Sequence, residues 1–60
     1  MSFTFEIWKE VPEDGATIWE TYDSNGRICY AATASDKLPT QPTAKTPMRA
    51  LKLYREAQAA

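Results

Sequence analysis

Thr17-Ile18-Trp19-Glu20-Thr21-Tyr22, then Asp23-Ser24-Asn25-Gly26, then Arg27-Ile28-Cys29-Tyr30-Ala31-Ala32-Thr33: this stretch decides the fold. Two runs rich in β-branched and aromatic residues flank an Asn-Gly pair, the pattern of a β-hairpin. A two-residue type I′ loop needs positive φ at both central positions, which Asn tolerates and Gly adopts freely. Asn25-Gly26 as that loop would set Ser24 opposite Arg27. Trp19, Thr21, Ile28, Tyr30 and Ala32 would then share one face, and Ile18, Glu20, Tyr22, Cys29, Ala31 and Thr33 the other.

Working outward toward the N-terminus, Phe3, Phe5 and Ile7 alternate with Thr4, Glu6 and Trp8. That period of two predicts a strand over residues 3–11. Pro12-Glu13-Asp14-Gly15 follows as a turn, since Pro presets φ and Gly accepts the left-handed conformation that closes the loop. Strands over 3–11, 17–22 and 27–33 therefore form a three-stranded antiparallel meander. Its first register is open to a one-residue slip, which would exchange the faces of the first strand.

On the C-terminal side, residues 34–46 contain Pro39 and Pro42 among Ser, Thr and Lys, and read as an extended linker with Leu38 as its apolar anchor. Thr46 is placed to cap a helix whose first residue, Pro47, has no N–H to leave unpaired. The helix is expected over 47–58, with Ala50, Leu51, Leu53, Tyr54 and Ala57 on one stripe. A helix this short is marginal alone and must dock. The sheet face bearing Phe5, Trp19 and Tyr30 is the expected receiver. The fold class is thus α+β, a single β-β-β-α domain with the C-terminal helix on one face of the sheet.

Sixty residues with one cysteine and no histidine limit the chemistry. An internal disulfide and the usual zinc sites are ruled out. Cys29 is the best nucleophile candidate, but no imidazole is present to activate it, and it reads as a packed strand residue. With no Gly-rich phosphate loop either, no enzyme and no cofactor are expected. No apolar run approaches the roughly 20 residues that span a bilayer, so no membrane role is expected. The first residues lack the pattern of a signal peptide, and a lone reduced cysteine suits a cytoplasmic setting.

The chain carries a net charge of −1, unevenly spread. Lys9 and Arg27 face Glu6, Glu10, Glu13, Asp14, Glu20 and Asp23 in residues 1–30. Lys37, Lys45, Arg49, Lys52 and Arg55 outnumber Asp36 and Glu56 in residues 31–60. An acidic sheet and a basic helix can attract one another within the fold or present opposite signs to partners.

One helix covers only one sheet face, so aromatic residues remain for the other. Trp8, Ile18 and Tyr22, surrounded by Glu6 and Glu20, are the expected contact for another protein or a second copy of this chain. The function so read is a small non-catalytic protein-binding module, acting by self-association or as an inhibitor of a larger protein. The alternative is a nucleic-acid accessory domain using Arg49, Lys52 and Arg55.

Phe5-Glu6-Ile7, Glu13-Asp14-Gly15, Ile28-Cys29 and the segment from Thr46-Pro47-Met48 to Leu53-Tyr54 together resemble HicB-type antitoxins. The resemblance implies a partial RNase-H-like β-β-β-α unit that binds and neutralises a small mRNA-cleaving toxin. Asp23-Ser24-Asn25-Gly26 stands where that family has a Pro-Xaa-Leu-Pro-Gly segment, and Met48 and Arg49 stand where it has acidic residues. No functional residue is carried over from it.

Overall fold

The computed structural model describes residues 3–59. Strands β1 (Glu6–Val11), β2 (Ala16–Tyr22) and β3 (Ile28–Ala34) form an antiparallel meander in the order β1-β2-β3, and helix α1 (Pro47–Ala59) follows. A single 3-10 turn over Pro12–Asp14 joins β1 to β2. Gly15 closes it at φ +61°, its N–H donating to the Pro12 carbonyl at 3.0 Å. No side chain or backbone crowds the space a Gly15 Cβ would take, so conformation alone calls for glycine there.

The central hairpin differs from the type I′ expectation by one residue. Tyr22 pairs with Ile28 and Thr21 with Cys29, and the Asp23 N–H donates to the Arg27 carbonyl at 2.9 Å. The loop is therefore Ser24-Asn25-Gly26. Gly26 donates its N–H to the Asp23 carbonyl at 3.0 Å and sits at φ +77°, while no non-glycine residue described has positive φ. This is the three-residue hairpin built from a type I turn with a glycine in the left-handed region after it. Asp23 explains the choice: its Oδ1 accepts the N–H groups of Asn25 and Arg27 at 2.8 and 3.0 Å, organising the turn from its first position.

That single-residue shift exchanges the faces of β3 relative to β2. Ala16, Ile18, Glu20 and Tyr22 lie on the face of Ala34, Ala32, Tyr30 and Ile28; Thr17, Trp19 and Thr21 share the other with Thr33, Ala31 and Cys29. The helix docks on the Ile18 and Tyr30 face. Trp19 is on the opposite face, so the expected receiver was the wrong one for Trp19 and the right one for Tyr30.

A β-bulge shapes the outer strand. Ile7 pairs with Trp19 and Lys9 with Ile18, leaving Trp8 as the extra residue. Glu6 before the bulge, and Lys9 and Val11 after it, consequently lie on the helix-bearing face, while Ile7 and Glu10 lie on the other. Phe3 and Phe5 precede β1, half-buried, with ring centroids 6.1 Å apart.

The core is small. Val11, Ala16, Ile18 and Leu51 are buried together, with Tyr30, Ala32 and Tyr54 packed against them. Each large aliphatic side chain buried there contributes about 1.5–3 kcal/mol. Thr46 caps α1 as its sequence suggests, its Oγ1 accepting the Arg49 N–H at 3.2 Å. Of the expected stripe, Ala50 and Leu51 are buried, Leu53 and Tyr54 half-buried, and Ala57 exposed. Arg55 reaches back from α1 to Asp14 at 2.6 Å, clamping the helix to the first turn.

The opposite face carries shorter side chains and one indole. Thr17, Thr21, Cys29 and Ala31 are buried, and Trp19 donates its Nε1–H to Thr33 Oγ1 at 2.9 Å. Thr21 Oγ1 donates to the Thr4 carbonyl at 2.7 Å and so holds the segment before β1 against β2. The linker does not use Leu38 as an anchor, since that side chain is 77% exposed. It is held instead at Ala44, which pairs with Tyr30 along the outer edge of β3 through Tyr30 N–H to Ala44 carbonyl at 2.8 Å.

Candidate functional site

Rows of side chains can be followed along the helix-bearing face. Val11, Ala16 and Ala34 form the first row, beside the turn at Pro12. Lys9, Ile18 and Ala32 form the next, then Glu6, Glu20 and Tyr30, and last Tyr22 with Ile28. Leu51 and Tyr54 of α1 pack against the first two rows. The last two rows extend beyond that core, except for Tyr30, which packs against its edge. There Tyr22 is 62% exposed and Ile28 41%.

Trp8 joins this uncovered end. The bulge turns its indole toward β3, where it meets Tyr30 edge to face at 5.9 Å and stays 43% exposed. Glu6 and Glu20 are direct cross-strand partners within this apolar surround. Like charges so placed repel, and neither carboxylate has a salt-bridge partner among the described residues. A shallow depression of about 180 Å³, lined by Thr4, Glu6, Glu20, Thr21 and Tyr22, opens beside them.

Four of the five residues expected at a protein contact are therefore neighbours here, Glu6, Trp8, Glu20 and Tyr22, but they lie at the open end of the helix-bearing face and not, as expected, on the opposite one. Ile18 shares their face but lies at 2% exposure beneath Leu51, and so is a core residue and not a contact. Ile28 takes its place at the surface. Sequence reading placed Ile28 with Tyr30 on the face that receives the helix, where it does lie, but past the packed core and so at the surface. The one-residue shift sets it opposite Tyr22, and the Asp at the first turn position was the signal for the longer loop.

The basic residues of the helix behave differently from one another. Arg49 and Lys52 are exposed, whereas Arg55 donates Nε–H and Nη2–H to Asp14 Oδ2 at 3.2 and 2.6 Å. Cys29 is buried, and that burial, with the charge of Asp23 nearby, pushes its thiol up from the ordinary range. It packs as a small side chain and its Sγ–H points at the Thr21 carbonyl, 3.7 Å away.

No family model, curated protein or solved structure matches this chain. Its reading rests on its own residues. Among those described, no helix is long and apolar enough to cross a membrane, and no group of three or more acidic, Cys or His side chains is placed to hold a metal ion.

Proposed function

We propose that this chain is a small non-catalytic protein-binding module, acting by self-association or as an inhibitor or antitoxin-like partner of a larger protein. One observation carries the reading: Trp8, Tyr22 and Ile28 stand exposed around the directly opposed Glu6 and Glu20 on sheet surface that α1 leaves open. Exposed aromatic and aliphatic side chains gathered on one face suit the centre of an interface. Two uncompensated carboxylates in their midst favour a partner that brings a cationic side chain beside an apolar one. The resemblance to HicB-type antitoxins points to the same class of role.

The nucleic-acid reading would draw on Arg49, Lys52 and Arg55. Asp14 already neutralises Arg55, which leaves a shorter basic stripe to meet a phosphate backbone, and the acidic end of the sheet opposes it.

Affinity capture on the tagged chain from its own host tests the proposal, with wild type and a Tyr22→Ser/Ile28→Ser double variant run side by side. A stoichiometric protein retained by wild type and lost by the variant, with matching circular dichroism, is the expected result. Identical retained proteins for both would overturn the proposed surface.

A further inference from the structure

We propose that the open end of the helix-bearing face receives the outer side of α1 from a second copy of this chain, in a closed two-fold pair. This rests on the protein-binding reading and names the partner within it. Two charge placements in the chain work against its own fold, and they are opposite in sign. Glu6 and Glu20 stand directly across from one another, and neither has a cationic partner among the described residues. Arg49 occupies the first turn of α1, three residues after the Thr46 cap, where the helix dipole favours an acid and none is present. Local rules broken with no gain inside the fold mark residues held for another role.

The two placements complement each other. Arg49 and Lys52 lie one turn apart on α1, and Met48 lies one turn before Lys52, so the three share one side of the helix. That side is turned away from the sheet, because the buried Ala50 and Leu51 are on the other. All three residues are exposed, Met48 at 70%. Cationic groups beside an apolar one match two carboxylates set among the exposed Trp8, Tyr22 and Ile28. Arg55 takes no part, since Asp14 already holds it.

Both surfaces belong to one side of the molecule, since α1 stands on the face whose far end it leaves open. The first turns of α1 are the part nearest that end. Ala44, just ahead of the helix, pairs with Tyr30 in the third row, and Arg55 reaches the turn beside the first. Two such faces can be laid together with a two-fold axis between them, parallel to both sheets and placed where the core gives way to the open end. The helix of each copy then stands over the open end of the other, bringing Met48, Arg49 and Lys52 to the row of Glu6 and Glu20. The two helices share one layer between two sheets. Each packs on its own sheet through Ala50 and Leu51 and on the other sheet through its outer side. Trp8, Tyr22 and Ile28 are covered. Because both copies use the same pair of surfaces, the contact closes at two chains.

The test is solution mass by light scattering over a dilution series of the full chain, with Glu6→Lys, Arg49→Glu and the double exchange alongside. Wild type is expected to approach twice the 6.8 kDa chain mass at high concentration and to separate on dilution. Each single exchange sets like charges together at both symmetric contacts and should raise the dissociation constant about tenfold. The double exchange restores opposite charges and should recover the wild-type midpoint. Neither exchange harms the fold: Glu6→Lys relieves the repulsion from Glu20, and Arg49→Glu puts an acid in the first turn behind a capping threonine. Circular dichroism melts at dilutions where every variant is a single chain should show them no less stable than wild type. A single-chain mass at every concentration overturns the inference, as does a mass that climbs past two chains. A midpoint indifferent to either single exchange, or not rescued by the double, overturns it too. A host protein captured by wild type and lost by Tyr22→Ser/Ile28→Ser, from a chain that stays single, leaves the wider binding reading standing while this one fails.

Discussion

Trp8 and Tyr30 meet across the width of the sheet, one from each outer strand, with ring centroids 5.9 Å apart and planes at 80°. They bracket the central strand where the packed core ends and the open surface begins. Tyr30 also leans on the buried cluster of Val11, Ala16, Ile18 and Leu51, so the contact links the exposed bulge to the core. Edge-to-face pairs contribute about 0.5–1.5 kcal/mol beyond their buried area. A double-mutant cycle of Trp8→Ala and Tyr30→Ala in urea should return a coupling energy in that range. Tyr30→Phe should keep it, because the ring and not the hydroxyl makes the contact. Additive single losses would show that the rings do not interact in solution.

The central loop offers a sharp contrast between adjacent residues. Gly26 holds φ +77° while Asn25 stays in the ordinary negative region. Gly26→Ala should cost about 1 kcal/mol through backbone strain, whereas Asn25→Ala should change stability by under about 0.5 kcal/mol. A two-residue type I′ loop would make Asn25 costly as well. Denaturation midpoints of the two variants decide between the loops.

Asp23 gives the hairpin a pH dependence with a definite sign. The backbone N–H of Arg27 is the main cause that holds its carboxyl below the ordinary value of 3.8, with the Asn25 N–H adding to it and partial desolvation opposing. A depressed folded pKa means that the stabilisation is fully present above the unfolded value and is lost as pH falls through the folded one. Stability should therefore decline below about pH 4, and the decline should be smaller in Asp23→Asn, which keeps an acceptor but does not titrate. Urea melts at pH 7 and pH 3 check this, and equal acid sensitivity of the two proteins would remove Asp23 as the cause.

Strand order, the turn at Gly15, the Thr46 cap and the helix could all be read from local chemistry, because each depends on residues adjacent in the chain. Register could not. Both Asn25-Gly26 and Asp23-Ser24-Asn25-Gly26 are hairpin signals, and the Asp23 carboxylate favours the longer loop by satisfying two backbone N–H groups at once. The bulge at Trp8 leaves no mark in the alternation of β1, so the shared face of Glu6 and Lys9 was hidden. The pairing of Ala44 with Tyr30 was equally hidden, as it depends on where a proline-rich segment crosses the sheet edge. Trp8, Tyr22, Glu6 and Glu20 share one face as expected, but it is the face that carries α1 and not the opposite one, because the longer loop puts Tyr22 and Glu20 on the side of Tyr30.

Ile18 and Tyr22 separate folding from binding on one strand. Both project from β2 toward the helix-bearing face, yet Ile18 is 2% exposed under Leu51 and Tyr22 is 62% exposed. Ile18→Ala removes apolar volume from a core that has little to spare, and should cost about 2–5 kcal/mol. A chain of this size buries only about 60% of its unfolded surface, so a loss of that order should leave much of the population unfolded. Tyr22→Ala should cost under about 1 kcal/mol, since most of its ring is already in water. Circular dichroism melts of the two variants at one chain concentration read the difference. The binding assay should show the reverse order once loss of folded protein is corrected for: Tyr22→Ala weakens retention of the partner, while the folded fraction of Ile18→Ala retains it. Strong destabilisation by Tyr22→Ala would place that ring in the core and remove it from the proposed surface.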